Sequence, residues 1–488
     1  MGQHDLIAAV ETFPDVRVVC VGDVMLDFFV YGDIERISPE APIPVVRVHH
    51  EECMLGGAGN VVRNLSSLGV AASLVTLTGE DDAGGRIRAL LSALPNCRAA
   101  AIGDPGRKTS VKTRYLAQSQ QVLRVDSEST EPAGVSLMAQ LIKAFEELVR
   151  DADIVVLSDY GKGVLAGDAA QQFIQVARAA GKPVLVDPKG HDYRRYSGAT
   201  IFKPNRKELA EATAMPVDND AQVEQAARHL IADASLGAVL VTLGAAGMLL
   251  VPANGPARAY RSAGREVFDV SGAGDTVAAT LAAGLGSGLS LEDAAEIANL
   301  AAGLVVAKIG TAVVTEEQLI RELESHHPSA ADSKLMTLDE AVQRVHRWRR
   351  QGLRVGFTNG CFDLLHAGHI SLLKQARERC DRLILGINSD ASVTRLKGPG
   401  RPAQDAQTRA LVLASLSPVD LVVVFEEDTP ERMIRELRPD VLVKGGDYRA
   451  DQVVGADLVA SWGGELVLVD LLPGHSTTRT MQRLAGQT

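Results

Sequence analysis

Asp275 closes a run, Asp269-Val-Ser-Gly-Ala-Gly-Asp-Thr276, that opens an Ala-rich helical segment. Gly272 and Gly274 let the backbone approach a ligand closely. The amides of Gly272, Ala273 and Gly274 then point toward the positive end of the helix and form an anion hole. A carboxylate at that helix start, Asp275, can take the proton of an attacking hydroxyl while the amides hold the charge developing on a transferred phosphoryl group. Asp269 supplies a second acid. A dinucleotide-binding turn does not fit, because position 277 is Val277 rather than Gly or Ala. No G-x-x-x-x-G-K-[ST] occurs either.

A second constellation is Val355-Gly-Phe-Thr-Asn-Gly-Cys-Phe-Asp-Leu-Leu-His-Ala-Gly-His369. A strand ends near Thr358, a Gly turn follows, and a helix begins around His366. The spacing of His366 and His369 puts both imidazoles on one face near a helix start. Gly368 between them permits close approach of a ligand. Two imidazole donors so placed suit a triphosphate, and above all charge developing on its α-phosphate. Zinc is a poor fit, since H-E-x-x-H and a nearby third ligand are absent, and no metal site is expected.

The elements that position these residues are short apolar runs alternating with amphipathic segments. Val16–Gly22, Asp153–Ser158, Pro183–Asp187, Ala238–Thr242, Arg354–Thr358, Arg382–Asn388, Asp420–Phe425 and Val441–Val443 read as strands of largely parallel sheets buried on both faces. Ile34–Glu52 and Lys108–Asp126 alternate apolar and polar residues instead, and are expected to form a small antiparallel sheet beside the main one. Ser325 to Ser333 is polar, small and contains Pro328. It separates helical segments at Glu316–Glu324 and Leu338–Arg350 and reads as a linker. Expected domains are thus residues 1–322 and 338–488, joined by a linker over 323–337.

Composition narrows the partners. With 50 Lys+Arg against 61 Asp+Glu the chain carries −11, and only 4% of residues are aromatic, which argues against a nucleic-acid surface. The five cysteines are widely spaced with no C-x-x-C, which fits a reducing cytosol. The first fifteen residues have neither a basic nor an apolar signal region, and Thr276–Leu291 is too short for a membrane span and reads as a buried helix. A cytoplasmic chain without membrane contact is expected.

The first half resembles the ribokinase (PfkB-type) family of sugar kinases, from about Val16 to Thr315. Its catalytic motif falls on Asp269–Asp275, which implies Asp275 as the base. Gly56-Gly-Ala-Gly-Asn60 resembles the family's Gly-Gly motif, implying that Gly57 and Asn60 touch the sugar. Gly59 stands where close relatives carry Ala. Asp27 matches a position that holds sugar hydroxyls. Lys203-Pro-Asn-Arg-Lys-Glu208 resembles an N-x-x-E element, implying Asn205, Arg206, Lys207 and Glu208 near the phosphates and Mg²⁺. The i,i+3 spacing of Asn205 and Glu208 is expected to put both on one helix face. Thr242, Gly244 and Gly247 match a turn near the nucleotide, and Asn299 a position bordering adenine. Lys112, Arg114 and Arg124 lie on adjacent candidate strands, as a solvated face or as a grip on a second anionic group of the substrate.

The second half resembles the cytidylyltransferase-like nucleotidyltransferases, from about Thr358 to Arg483. This implies nucleotide contacts from Thr358, Asn359, Gly360, Phe362 and Asp363. Lys397 and Arg401 resemble a mobile basic loop over the triphosphate. Lys444, Gly445 and Asp447 resemble the stretch bordering the base. His475-Ser-Thr-Thr-Arg479 resembles an I-S-S-T-R element, with Ser476, Thr477 and Arg479 at the phosphates. Arg409 sits where a helix residue often serves the fold. The implied reaction is in-line attack by a phosphate oxygen on an α-phosphorus, with pyrophosphate leaving. It needs no protein nucleophile, so Cys361 reads as a small buried thiol.

The resemblance implies an α/β chain: a ribokinase-like three-layer α/β/α sandwich with a small β lid, followed by a Rossmann-like H-x-G-H nucleotidyltransferase domain. Kinase then transferase, in that order, resembles the bacterial family of bifunctional heptose 7-phosphate kinases and heptose 1-phosphate adenylyltransferases. That implies sugar phosphates and ATP as partners, Mg²⁺ with ATP in both halves, and a homodimer formed through the lid. The motifs define the chemistry better than the sugar, so another sugar kinase joined to another nucleotidyltransferase stays open, as does CTP at the second site. A regulator with inactive sites would show damaged motifs, whereas Asp275, His366 and His369 are all in place.

Overall fold

Short strands form where the Val/Leu/Ile runs fall. The computed structural model describes residues 3–117, 120–262, 272–308, 312–325, 334–350, 352–446, 449 and 452–469. The chain divides into two units, Met1–Leu323 and Glu324–Thr488.

The first unit is built on a nine-stranded sheet. From one edge the order is Arg258–Tyr260, Met248–Pro252, Ala238–Thr242, Ile201–Phe202, Val184–Asp187, Ile154–Ser158, Arg17–Gly22, Ala71–Gly79 and Cys97–Asp104. All pairings from Ala238–Thr242 onward are parallel, and the first two strands close the edge antiparallel. Alternate side chains enter two cores, as the strand period of two requires. Val18 and Cys20 pack on one face with Val61 and Leu65 of the Ala58–Ser67 helix. Val19 and Val21 pack on the other with Phe145 and Phe173. Both faces are therefore covered, which gives three layers.

Strand order reverses at Arg17–Gly22. The next two strands of the sheet, Ala71–Gly79 and Cys97–Asp104, lie to one side, and Ile154–Ser158 starts the other side, with Gly22 level with Ser158. In parallel α/β sheets ligands bind in the crevice at such a reversal, beyond the carboxyl ends of the strands.

A four-stranded sheet rises from that point, in the order Pro44–Gly57, Val24–Ile37, Val111–Ala117, Gln120–Ser127. The sequence leads one to expect an antiparallel sheet, but Val24–Ile37 and Val111–Ala117 run parallel. The chain makes two strands of the main sheet between them and so re-enters the small sheet in the same direction. The Thr276–Leu291 stretch also differs from a single helix: Ala273–Gly286 ends in a turn, and Leu291–Val306 restarts on a Ser290 cap.

The second unit has a six-stranded parallel sheet, in the order Leu335–Met336, Leu421–Phe425, Arg382–Asn388, Val355–Gly360, Val441–Gly445, Glu465–Val469. Its order reverses between Val355–Gly360 and Val441–Gly445. Leu335 and Met336 lie inside the segment read as linker, yet Met336 is buried and both pair with Leu421–Phe425. A helix also runs on to Ser325. The expected linker 323–337 is thus too long at both ends. Among the described residues no helix is long and apolar enough to cross a membrane.

Candidate active sites

Asp275 lies in the first turn of the Ala273–Gly286 helix and is only 4% exposed. Gly272 caps that helix with φ 80°, a conformation that side-chain-bearing residues rarely take. This places the amides of Gly272, Ala273 and Gly274 at the start of a fourteen-residue helix. Asp269 lies outside the described residues.

Each oxygen of the Asp275 carboxylate has its own donor. The Asn60 side-chain amide donates to Oδ2 at 2.7 Å and the Tyr160 hydroxyl to Oδ1 at 2.7 Å. Burial pushes the Asp275 carboxyl up to about 7, against these two hydrogen bonds, which favour the ionised form. Burial and the Asp275 charge hold Tyr160 well above the usual phenol range, so it remains a donor. Asn60 is seated in turn: Thr276 Oγ1 donates to Asn64 Oδ1 at 2.9 Å, and Asn64 Nδ2 donates to the Asn60 carbonyl at 2.9 Å. The loop bearing Tyr160 is pinned by Asp23, whose carboxylate accepts from the amides of Tyr160, Lys162 and Val164, each at 2.9 Å.

Beyond this carboxylate opens a cavity of ≈ 820 Å³. Asn205, Arg206, Lys207, Glu208, Thr242, Gly244, Gly247 and Asn299 all line it, as do Tyr160, Ala273 and Gly274. Asn205 does not share a helix face with Glu208, as its spacing suggests. It is the N-cap of the Arg206–Thr213 helix, and the two residues form a capping box with two 2.9 Å hydrogen bonds. Lys203 is buried and paired with Asp187 at 2.9 Å. Burial raises the Asp187 carboxyl and the Lys203 charge opposes it.

Among the described residues no group of three or more His, Cys, Asp or Glu could hold a metal ion. Asp187 and Glu208 do line one cavity, and the Glu208 charge acts on Asp187. A few hard oxygen donors suit a Mg²⁺ that takes most of its ligands from phosphates and water. These residues fit an ion that arrives with a nucleotide.

On the small sheet, Asp27 is buried and ion-paired with Arg114 at 2.5 Å. Gly56 packs against its carboxylate, and a Cβ on Gly56 would overlap Oδ2. Gly57 is buried at the end of the same strand. Lys112 and Arg124 both pair with Asp126, at 3.1 and 3.0 Å. Strand register puts Asp27 opposite Lys112, Lys112 opposite Asp126 and Arg114 opposite Arg124, so these residues share one face. The three cations are brought together as expected, but each is balanced by a carboxylate.

In the second unit His366 is the N-cap of the Ala367–Arg377 helix and His369 lies in its first turn. Their rings stack with centroids 3.8 Å apart, and Phe362 lies 4.8 Å from His369. Phe362 adopts φ 45°, unusual for a residue with a side chain. His369 is pushed down to about 4 by burial first, then by His366 and Lys397. It is therefore neutral near pH 7, with a buried Nδ1 that has no hydrogen-bond partner among the described residues. Thr358 Oγ1 and Asn359 Oδ1 are buried without partners in the same sense. Lys444 donates to the Asn359 carbonyl at 3.0 Å, which ties the ends of Val355–Gly360 and Val441–Gly445 together. The histidine turn, Gly360, Lys444 and Gly445 thus gather where the sheet order reverses.

Two expectations change here. Arg401 is not on a free loop: it is bonded to the buried carboxylate of Asp363, which also accepts from the Ala403 amide at 2.5 Å. Asp363 is accordingly an anchor for that loop, and its oxygens are occupied. Arg409 serves the fold: it is 1% exposed and donates to the Cys361 and Gln404 carbonyls and to Asp390. Asp447, Ser476, Thr477 and Arg479 lie outside the described residues. Sequence reading passed over Asp23, Tyr160, Asp187 and Lys203. The available signal was their place at or just beyond the ends of parallel strands.

Comparison with known proteins follows this division. The pfkB family of carbohydrate kinases matches residues 15–318, and the cytidylyltransferase-like family matches 357–469. A curated protein of Paramagnetospirillum magneticum, bifunctional protein HldE, is 54% identical over 99% of both chains. Its namesake in Caulobacter vibrioides is 53% identical over 97% of both. Among solved structures, Escherichia coli phosphofructokinase-2 in complex with potassium covers 63% of this chain and 98% of its own at a TM-score of 0.55 and 22% identity. That likeness shows the fold of the first unit.

Proposed function

This chain belongs to the bifunctional HldE family, a pfkB carbohydrate kinase joined to a cytidylyltransferase-like domain, and from that premise we propose that it makes an activated heptose in two steps. The first unit moves the γ-phosphoryl group of ATP to O1 of D-glycero-D-manno-heptose 7-phosphate, giving the β-1,7-bisphosphate. A separate phosphatase removes the 7-phosphate. The second unit moves AMP from ATP to the 1-phosphate, giving ADP-heptose and pyrophosphate for the lipopolysaccharide core.

The observation that carries the kinase reading is a buried carboxylate, Asp275, at the start of a glycine-capped helix beside a cavity large enough for a nucleotide. Asp275 takes the O1 proton as the O1–Pγ bond forms and the bond from Pγ to the bridging oxygen of ADP breaks. The Gly272–Gly274 amides hold the charge on the transferred group. Asp27 and Asn60 hold the sugar hydroxyls. The 7-phosphate takes the place of the Asp126 carboxylate at Lys112 and Arg124, with Arg114 beside them. Magnesium bound with ATP supplies charge neutralisation at the phosphates, near Asp187 and Glu208.

In the second unit the 1-phosphate oxygen attacks the α-phosphorus and pyrophosphate departs. His366 and His369 donate to the phosphate oxygens, and Lys397 adds positive charge. Ser476, Thr477 and Arg479 serve the same phosphates, and Asp447 borders the base. The homodimer reading is supported by apolar side chains exposed on the small sheet, among them Ile37, Val48 and Leu123. The acidic composition supports small-molecule substrates without a nucleic-acid partner, and the widely spaced cysteines support a cytoplasmic enzyme.

The test is a substrate panel on the wild-type protein. ADP release is followed with heptose 7-phosphate and other sugar phosphates, and pyrophosphate release with heptose 1-phosphate and either ATP or CTP. Preference for the two heptose phosphates and ATP is expected. Turnover of a different sugar phosphate alone would overturn the substrate assignment.

A further inference from the structure

Tyr160 belongs to none of the motifs that point to either reaction, yet it touches the group on which the first reaction depends. Its hydroxyl donates to Asp275 Oδ1 at 2.7 Å, while Asn60 holds Oδ2 at the same distance. The residue also lines the nucleotide cavity, so it stands where the base and the cavity meet. Its backbone is not free to drift, because Asp23 fixes the amides of Tyr160 and of Lys162 at 2.9 Å each.

We propose that Tyr160 is a positioning residue for the kinase step: its phenol aims the Asp275 carboxylate and keeps it ionised, so that it can accept the O1 proton. This rests on the kinase reading given above. The physical need is plain. A carboxylate out of water loses the solvation that favours its charge, and a fixed donor restores part of it. Asn60 is occupied at the other oxygen and cannot serve both. The other titratable groups facing Asp275 do not replace the phenol. Lys203 favours the ionised form but is paired with Asp187, which opposes it. Cys20, beneath, is a buried thiol held protonated. Asp27 acts on Tyr160 and raises it further, so the phenol stays a donor. During turnover the O1–H proton goes to Asp275 and later to solvent; Tyr160 keeps its own.

The test is Tyr160→Phe in the full chain, which keeps the ring and removes only the hydroxyl. Losing a hydrogen bond to a buried charge should move the acid limb of the kinase pH profile up by about one pH unit or more. ADP release at pH 6.5 should then fall about tenfold, with recovery toward wild type at alkaline pH. A loss equal at every pH, or an unmoved limb, would overturn the proposal. A second measurement needs no sugar: carbon NMR titration of the Asp275 carboxyl, assigned by its disappearance in Asp275→Asn. A higher midpoint in Tyr160→Phe than in wild type supports the role, and an equal midpoint rejects it. If the wild-type protein fails to turn over heptose 7-phosphate, the substrate reading falls while the titration still decides the place of Tyr160.

Discussion

The rings of His366 and His369 lie 3.8 Å apart with planes 15° from parallel. At that spacing two positive charges repel strongly, and both residues sit at the N-terminus of a helix, His366 as its cap and His369 in its first turn, where positive charge is already disfavoured. The arrangement therefore disfavours a second positive charge on the pair.

This makes the second unit acid-sensitive. His369 is held at about 4 in the folded state, while a histidine in an unfolded chain titrates near 6.5. Between those values the unfolded chain binds a proton that the folded one refuses, so stability falls as pH falls through that window and is fully present above it. Both tryptophans, Trp348 and Trp462, lie in this unit, so their fluorescence reports its unfolding. Urea midpoints should drop from pH 7 to pH 4.5, and less so in His369→Gln. Equal pH dependence in both proteins would count against the assignment.

Arg409 should matter for stability and not for chemistry. Its guanidinium satisfies two carbonyls and Asp390 from a fully buried position. Arg409→Met leaves these acceptors unmet, which costs about 3 kcal/mol. The tryptophan-monitored urea transition should shift accordingly, while ADP release by the first unit is unchanged.

Gly56 tests the sugar side of the kinase site. A methyl group there overlaps the Asp27 carboxylate, which is already fixed by Arg114. Gly56→Ala should displace Asp27 and raise the KM for the sugar about tenfold, equivalent to about 1.4 kcal/mol. The KM for ATP should change little, since the nucleotide cavity has no wall at Gly56. A parallel rise in both constants would mean that the whole unit is disturbed.

Asp275 sets a fourth expectation. With its carboxyl near 7, the wild-type kinase should gain activity as pH rises through that value, because only the ionised form accepts a proton. Initial rates between pH 5.5 and 9 at saturating substrates measure this. A flat profile from pH 5.5 upward would contradict it.

Much of this was legible in the chain itself. The strands Ala238–Thr242 and Arg382–Asn388 appear with the bounds that their apolar runs suggest, because fully buried parallel strands need unbroken Val, Leu and Ile. Asp275 and the two histidines were legible because glycines beside a polar group at a strand-to-helix turn have few other uses. Tyr160 was not, since its meeting with Asp275 spans 115 residues and depends on which strands become neighbours. Arg401 misled for a related reason. A basic residue among glycines looks mobile until its buried partner Asp363, 38 residues away, is known. Local spacing reports which chemistry is present; the side chains that tune it come from the crossovers of the sheet.

The central claim is that one chain carries two independent phosphorus chemistries. It is tested most directly by running Asp275→Asn and His366→Ala/His369→Ala beside the wild-type protein, with heptose 7-phosphate and ATP followed for ADP and heptose 1-phosphate and ATP followed for pyrophosphate. Loss of a general base should lower ADP release about 10²- to 10⁴-fold in the first variant and leave pyrophosphate release intact. The double histidine variant should show the reverse. Loss of both activities in either variant, or survival of ADP release in Asp275→Asn, would contradict the account.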